Sequence, residues 1–598
     1  HADCLEIWTD VSGMYTANPK LVRQAKPIES ISYQEAMELS HFGAIVLYPP
    51  TVQPALDKGI DILIKNTMEP EAPGTRITEK AKVNGSLIKG ISHIEDIALL
   101  TLEGNGMVGV PGISSRLFGA LADELINVKF ITQASSEHSI CLAIDDQDTA
   151  RAKKAVDREF EFEILKNRID PLVVEKQLAI IALVGDQMKS HQGISGKMFS
   201  ELGHNNVNIR AIAQGSSERN ISAVIREEDV KKALNVLHAS FFEAQIKQLN
   251  LFVVGIGNVG GKLLDQIENQ QKFLIEKKNL QLRVIGMANS RKMLFCEGGI
   301  SLDNWQQQLD SEGETSDLDA FFARMTDLNL RNSVFIDNTA HEVVTHLYSR
   351  CLKESIAVVA CNKIACSSAY TNYEELKRLS SKYQAPFLFE TNVGAGLPII
   401  DTLHNLIASG DQIHEIQAVL SGSLNFVFNN FTGDRSFYEV VKQAGEEGYT
   451  EPDPRIDLSG VDVARKILIL MRESGIRAEL EDIDNRSFLP VESLQADTVE
   501  DFLETLKNSA THFADLRKAA EEAGCKLKYV ASFKDGKAEV GLQHIAPDHP
   551  FYNLDGKDNI VLFYTDRYRE QPLIIKGAGA GADVTASGIF GDIIRTGN

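Results

Sequence analysis

The sequence is short of positive charge, of cysteine and of long apolar runs, and each shortage closes a class of function. Its 61 lysines and arginines stand against 83 aspartates and glutamates, a formal net charge of −22. That balance argues against a nucleic acid or an anionic membrane as partner and favours small ligands. No stretch approaches the roughly 18 apolar residues that a membrane span needs, and the first residues do not read as a signal peptide. Seven cysteines, an odd number scattered along the chain, form no disulfide framework, and Cys361 with Cys366 lacks the second pair that a zinc site would require. A reducing interior is expected, cytoplasmic or, in a plant, plastid. What is present is ordinary globular composition: 43% apolar and 24% charged residues over 598 positions, enough for roughly four domains at about 150 residues each.

The middle of the first half repeats itself. Ala98-Leu99-Leu100-Thr101-Leu102-Glu103-Gly104 is echoed by Ala179-Ile180-Ile181-Ala182-Leu183-Val184-Gly185, Gly112-Ile113-Ser114 by Gly193-Ile194-Ser195, and Gln133-Ala134-Ser135-Ser136-Glu137 by Gln214-Gly215-Ser216-Ser217-Glu218, every pair 81 positions apart. A constant offset over three separated matches marks two copies of one unit. Each copy reads strand, glycine loop, amphipathic helix (Ser115 to Leu125, Gly196 to Leu202), strand, turn, strand and helix, the βαββαβ order of a ferredoxin-like sandwich. On the residues alone such a pair is either scaffold or ligand site.

Beyond the repeat, Leu249 to Val254 is a continuous apolar strand that runs straight into Gly255-Ile256-Gly257-Asn258-Val259-Gly260 and a helix. Strand, glycine turn and helix in that order are what a dinucleotide site requires, with the pyrophosphate at the helix start. The second strand, Leu282 to Met287, ends in Ala288-Asn289-Ser290-Arg291-Lys292 with no acid at its tip. Two cations there suit a 2′-phosphate, so NADP is favoured over NAD. Two more strands end at Asn338-Thr339 and Asn362-Lys363, at the edge where ligands of doubly wound sheets bind. A second glycine turn, Gly577 to Ala582 with Gly579 at its middle, leads into the last helix.

Carboxylates crowd the stretch Ala444 to Lys466. Glu451, Asp453 and Asp457 share one proline- and glycine-rich turn, where they should repel one another unless a cation sits among them. Asp462 and Lys466 stand four apart on one helical face. Such a pair is either a solvated surface contact or, because the apolar run Ile467 to Met471 buries the helix, a desolvated proton donor with its partner. Upstream, Glu390 ends a buried-type strand (Phe387 to Glu390) beside the bend Thr391 to Pro398, which is a tight turn or a seat for a hard cation. Ser421-Gly422-Ser423 opens a helix with hydroxyls that ordinarily cap it. Residues 1 to 88 hold Trp8-Thr9-Asp10-Val11-Ser12-Gly13, a capped helix from Ile31 to Leu39 and Ile64 to Thr67, an α/β segment.

The order Ala-x3-Gly-Tyr-Thr-x2-Asp-Pro-x2-Asp-Leu-x-Gly-x-Asp-x3-Lys from Ala444 to Lys466 resembles the substrate-site motif of homoserine dehydrogenases. The resemblance implies that Glu451 and Asp457 bind the amino and hydroxyl groups of homoserine, with Tyr449, Gly422 and Ser423 beside them. It assigns proton transfer to Lys466, Asp462 and Lys363, and cofactor contacts to Gly255, Gly257, Asn258, Val259, Gly260, Arg291, Lys292, Thr339, Lys363 and Gly579. It also implies a structural sodium-type site of Glu390 with the carbonyls of Val393, Ala395 and Leu397. The repeat resembles the paired regulatory ACT domains of aspartokinases, which makes Gln133 and Gln214 effector contacts and threonine the effector. The opening phrases resemble the C-terminal part of an aspartokinase catalytic domain, with Thr9 and Asp10 against ATP. The glycine-rich start and catalytic lysine of that family are absent and Ile45 stands where many members have lysine, so the chain reads as a fragment of a longer protein that does not phosphorylate aspartate alone.

The expected fold is α/β and multidomain: a partial amino-acid-kinase domain (1–88), tandem ferredoxin-like ACT domains (89–167 and 168–247), a Rossmann NADP-binding domain (248–375 with 571–598) and an α+β substrate-binding and dimerisation domain (376–570). The expected activity is NADPH-dependent reduction of aspartate 4-semialdehyde to homoserine in threonine and methionine biosynthesis, by a homodimer or homotetramer. The competing expectation is an amino-acid sensor whose dehydrogenase half is inactive.

Overall fold

Four separate sheets account for the strands of the computed structural model, which describes residues 3–41, 47–79, 87–133, 138–186, 188, 191–214, 219–242, 246–433 and 435–597. The chain divides into two compact units, His1–Lys247 with Asn329–Arg331, and Gln248–Leu328 with Asn332–Asn598. Among the described residues no helix is long and apolar enough to cross a membrane.

The first unit opens with β1 (Cys4–Thr9), β2 (Ser30–Ser32), β3 (Asp61–Asn66) and β4 (Thr75–Thr78), paired in the order β1-β3-β4-β2. Ser32 and Glu35 exchange hydrogen bonds at the start of the helix Tyr33–His41, the cap that the sequence signalled. Residues 42–45, which include Ile45, lie outside the described residues.

The repeat then supplies β5 (Gly90–Glu103), β6 (Phe130–Gln133) and β7 (Ser139–Asp145) from one copy and β8 (Val173–Val184), β9 (Ala211–Gln214) and β10 (Asn220–Arg226) from the other. The first copy keeps the expected βαββαβ order, because the start of β8 returns to its leading strand with Leu99 opposite Glu175 and Thr101 opposite Val173, whereas the second copy ends as βαββα. The place beside the second copy's leading segment is filled by the start of β5, antiparallel with Ile91 opposite Leu183. The result is one six-stranded sheet, β6-β7-β5-β8-β10-β9, and the two copies bury one shared core of Ile97, Leu99, Phe130, Leu178, Ile180 and Val224.

In the second unit β11 (Lys247–Val254), β12 (Leu280–Ala288), β13 (Lys292–Phe295), β14 (Glu314–Thr315), β15 (Ser333–Asp337), β16 (Ala357–Ala360) and β17 (Phe387–Leu388) form a sheet ordered β14-β13-β12-β11-β15-β16-β17. Strands β11, β15, β16 and β17 run parallel. Every residue of β15 and β16 is buried, as strands covered by helices on both faces must be. Helix α1 (Asn258–Lys278) turns Leu263, Leu264, Ile267 and Leu274 inward at helical spacing and stops at Asn279, which takes the left-handed conformation. Strand β17 ends earlier than the expected Phe387 to Glu390 strand. Its chain leaves the sheet as a short 3-10 turn because the Glu390 N–H is drawn to Asp592.

The remaining elements build the substrate side. After α2 (Ile364–Ser367), α3 (Tyr370–Tyr383) and α4 (Ile399–Ala408) come β18 (Ile413–Val419), α5 (Gly422–Asn430), α6 (Val461–Glu473), β19 (Ile483–Arg486), β20 (Lys526–Lys534), β21 (Lys537–Ile545), β22 (Asp558–Thr565) and β23 (Leu573–Ala578). The sheet is ordered β19-β21-β20-β18-β22-β23. The last helix, α7 (Ala582–Thr596), then carries the chain back to the nucleotide side. Its Ala586, Ile589 and Ile593 are buried in the same core as Leu263 and Ile267 of α1, at roughly 1.5–3 kcal/mol for each isoleucine.

Candidate active site

The glycine turn between β11 and α1 needs its glycines for different reasons. Gly255 has φ 88°, and a Cβ there would stand 2.8 Å from Thr339 Cγ2 and 2.9 Å from the Asn338 backbone. At Gly260 a Cβ would lie 2.1 Å from the Gly255 carbonyl oxygen. At Gly257 nothing lies within 4 Å of the Cβ position, so the start of α1 at Asn258 and Val259 faces clear space with its first N–H groups unpaired by the helix. Beside it, both amide atoms of Asn338 are buried without a hydrogen-bond partner. A cradle that a side chain would fill, next to an orphaned buried amide, fits a nicotinamide dinucleotide.

At the tip of β12 the Asn289 side chain accepts from the N–H groups of Arg291 and Lys292, both at 2.8 Å. Lys292 Nζ donates to the Asp310 carbonyl, which draws it along the sheet edge, while Arg291 is exposed. The Thr339 N–H donates to Asp337, whose carboxylate also accepts from Tyr348 Oη at 2.7 Å and Asn362 Nδ2 at 3.1 Å. One buried carboxylate thus ties the ends of β15 and β16 and sets the position from which Lys363 projects.

Lys363 Nζ lies 2.9 Å from Asp462 Oδ1, and Lys466 Nζ lies 2.9 Å from Asp462 Oδ2. Lys466 is buried and also donates to the Leu420 carbonyl at 2.6 Å. The buried lysine has the carboxylate partner that its position demanded, and the partner serves a second lysine as well. Burial works against the charge of Asp462, but the Lys466 and Lys363 ammonium groups outweigh it and hold the carboxyl well below the usual range. Burial is also the chief influence on Lys466. Helped by Lys363 and opposed by Asp462, it brings this ammonium below the usual lysine range. Such a group gives up and takes back a proton near neutrality more readily than an ordinary lysine.

The carboxylate turn is resolved within itself. Asp453 caps the short helix Pro454–Leu458 and is gripped by Arg455 at 2.6–3.0 Å, so an arginine two residues on supplies the cation the turn required. Asp457 accepts from Ser423 Oγ and from the Glu451 N–H, each at 2.8 Å. The Glu451 side chain stays exposed. Of the two hydroxyls that open α5, Ser421 caps the helix through the Leu424 N–H, whereas Ser423 is engaged with Asp457 and is not a cap. Tyr449 stacks on Phe426 with centroids 3.9 Å apart, and Lys557 Nζ sits 5.9 Å from the tyrosine ring. Gly422 admits the Lys557 carbonyl, which a Cβ would meet at 3.1 Å.

Gly579 meets this cluster through an intermediary that sequence reasoning missed. A Cβ on it would stand 1.9 Å from Asn559 Cγ, and Asn559 Nδ2 donates to the same Leu420 carbonyl that accepts from Lys466. The signal was an amide at the head of the apolar run Ile560 to Phe563.

Glu390 is held from several sides. Its carboxylate accepts from the N–H groups of Ile400 and Asp401 at the start of α4, at 2.7 and 2.9 Å, and pairs with Arg595 at 3.3 Å. Its charge faces a helix end and an arginine. Val393 and Ala395 are buried, Ala395 with φ 52°, and the Leu397 N–H closes a turn on Gly394. Among the described residues no cluster of three or more His, Cys, Asp or Glu side chains is arranged for a metal.

In the first unit Gln133 and Gln214 end the equivalent strands β6 and β9, opposite Ile140 and Ile221. Gln214 accepts from Ser195 Oγ at 2.9 Å. The segments that follow, 134–137 and 215–218, lie outside the described residues. Thr9 donates to Asp10 at the end of β1.

Comparison with known proteins agrees with this layout. The family model for homoserine dehydrogenase matches residues 398–594, and the one for the homoserine dehydrogenase NAD binding domain matches 255–390. ACT domain models match 100–160 and 181–241, and the amino acid kinase family matches 1–66. A bifunctional aspartokinase/homoserine dehydrogenase of Haemophilus influenzae is 42% identical over 595 residues, covering 100% of this chain and 73% of its own length. A chloroplastic relative of the same name from Zea mays is 42% identical over 596 residues, 98% of this chain and 65% of its own length. The crystal structure of a Candida auris protein of unknown function superposes on 58% of this chain and 98% of its own, at 32% identity and a TM-score of 0.55. This chain therefore spans about two thirds to three quarters of these full-length relatives. By identity, coverage and the order of its matched domains, it belongs to the bifunctional aspartokinase/homoserine dehydrogenase family.

Proposed function

We propose that the chain interconverts L-aspartate 4-semialdehyde and L-homoserine with NADP(H). The observation that carries the proposal is the pair of lysines on one carboxylate, Lys363 from the nucleotide sheet edge and Lys466 from the substrate side, each 2.9 Å from Asp462. When bound, the nicotinamide supplies or accepts the hydride. Gly255, Gly257, Asn258, Val259, Gly260, Thr339 and Gly579 frame its place. NADP rather than NAD is supported by the exposed Arg291 and by the absence of a carboxylate from Ala288 to Lys292.

The residues then divide the work. Glu451 and Asp457, on the turn beside Ser423 and Tyr449, hold the substrate's ammonium and hydroxyl and bring its C4 to the nucleotide side. Lys466, its ammonium weakened by burial, gives a proton to the carbonyl oxygen in reduction and takes it from the hydroxyl in oxidation. Lys363 adds a second positive charge where the alkoxide develops. Asp462 orients both lysines.

Threonine sensing through Gln133 and Gln214, a structural monovalent cation such as sodium at Glu390 and the Val393, Ala395 and Leu397 carbonyls, and a homodimer or homotetramer complete the proposal. The plant relatives are named chloroplastic, so a plastid or cytoplasmic setting is consistent with it. The test is NADP reduction by L-homoserine, with NAD and with threonine in parallel. Turnover that Glu451→Ala and Lys466→Ala each abolish is expected; full turnover by both Lys466→Ala and Lys363→Ala would sink the acid–base scheme.

A further inference from the structure

Asn559 is fully buried, the second residue of β22, and paired in register with Gly577 of β23. Its Nδ2 donates at 3.2 Å to the Leu420 carbonyl, the oxygen that accepts from Lys466 Nζ at 2.6 Å. Its Oδ1 has no hydrogen-bond partner. An apolar side chain would fill this place without orphaning an acceptor, which makes the amide costly unless it has work to do. Against it packs Gly579, where a Cβ would come within 1.9–2.4 Å of three atoms of the amide group. We propose that Asn559 is a positioning residue that joins the C-terminal glycine turn to Lys466 and, through the shared Leu420 carbonyl, favours release of the lysine's proton.

The physical argument is electrostatic. A carbonyl that accepts two donors binds each less strongly than it would bind one alone. The N–H end of the amide dipole also faces the same oxygen as the ammonium, so both effects oppose the charged form of Lys466. Around that lysine, Asp462 from its own helix and Asp457 from the preceding turn favour the charge, while Lys363 from the end of β16 opposes it. Asn559 joins the second group. It also transmits a constraint: the glycine turn cannot move toward the sheet without turning the amide that holds the Leu420 carbonyl.

The inference rests on the proposed dehydrogenase reading, and the pH–rate profile of homoserine oxidation tests the two separately. With Asn559→Leu, Leu420 is left to Lys466 alone, and the acid limb of kcat moves up by about half to one pH unit, with kcat at pH 7.5 falling about three- to tenfold. The KM for homoserine stays within about twofold. Asn559→Asp, the same size with a carboxylate in place of the donor, moves the limb further up than Asn559→Leu. A merely structural role lowers kcat without moving the limb and without that ordering, and that result overturns the inference. Should Asn559→Leu fail to fold, the isosteric Asn559→Asp carries the same readout. A wild-type chain that binds NADP but does not oxidise homoserine overturns the dehydrogenase reading instead, and the inference with it.

Discussion

Replacing Asp462 by asparagine keeps the shape of the shared carboxylate and removes its charge. At 2.9 Å from each lysine and an effective dielectric near 20, one such pair is worth about 6 kcal/mol. The Asp462 side chain is 37% exposed, so solvent screening reduces this to roughly half, about 3 kcal/mol of support lost by the Lys466 ammonium. That loss lowers the lysine by a further two pH units or so. Asparagine also offers one acceptor where two lysines need one each, so one ammonium is left without its partner. The expected outcome is an acid limb of homoserine oxidation displaced downward by about two units, with a plateau about 10²-fold lower because a weaker base is also misaligned. Initial rates of NADP reduction from pH 5.5 to 10 measure both. An unmoved profile in which only the homoserine KM rises would make Asp462 a substrate contact and would refute Lys466 as the titrating group.

Four other outcomes follow from the surroundings of single residues. Gly260→Ala drives a methyl into the Gly255 carbonyl at 2.1 Å and should disrupt the nucleotide half, lowering thermal stability. Gly257→Ala meets no protein atom within 4 Å, so it should fold normally and raise the NADP KM tenfold or more in steady-state assays. Ser423→Ala removes the 2.8 Å bond to Asp457 and should raise the homoserine KM about three- to tenfold, at about 1 kcal/mol for one hydrogen bond, with nucleotide affinity unchanged. Lys528 is buried on three neutral acceptors, Asn425, Asn429 and the Leu554 carbonyl, and burial, aided by the Lys526 ammonium, pushes it down to about 8. Because the folded value lies below the unfolded one, the charged form opposes folding, and stability should rise as pH climbs from about 8 toward 10.5, by on the order of 3 kcal/mol. Urea unfolding of wild type and Lys528→Met should therefore diverge across that window; parallel curves would remove the basis for the shift.

The parts of this molecule that were legible in the sequence are those whose reason is local. An apolar strand, a glycine turn and an amphipathic helix in succession define the nucleotide edge within 30 residues. The i,i+4 pair of Asp462 and Lys466, followed by the apolar run, announced a buried lysine with its own counter-charge. A fixed offset announced the repeat. What was not legible depends on partners remote in the chain. The closing strand of the second ACT copy is supplied by the start of β5, ahead of the first copy, which a reading of one copy at a time cannot foresee. The contact of Glu390 with Arg595, 205 positions away, lay equally beyond the turn that announced the glutamate. Asn559 looked like a stray polar residue in a strand because its acceptor, Leu420, lies 139 positions earlier. One local signal was misread: Arg455, two residues from Asp453, neutralises a turn that its carboxylates alone made to look unstable.

Two lysines on one carboxylate require two segments to be registered to well under an ångström, and α6 shows how that is achieved. Its N-terminal end carries Asp462 and Lys466, while its C-terminal end carries a buried arginine and a buried glutamate. Arg472 donates to the Cys366 carbonyl at 2.8 Å, to the Ala478 carbonyl and to Glu479. Cys366 belongs to α2, which begins directly after Lys363, so the arginine fixes the segment that presents the first lysine to the helix that presents the second. Glu473 accepts from Tyr373 and Lys377 of α3 and is paired with His404 of α4, which locks the same helix against two more elements. Apolar packing alone tolerates small sliding of one helix over another, whereas directional bonds in a low-dielectric interior do not. Over the roughly 9 Å from residue 466 to residue 472 the helix is a stiff rod. Anchorage at its far end therefore sets the Lys363–Asp462–Lys466 geometry at its near end, and the buried charges most remote from the chemistry are the ones that fix the distances on which the chemistry depends.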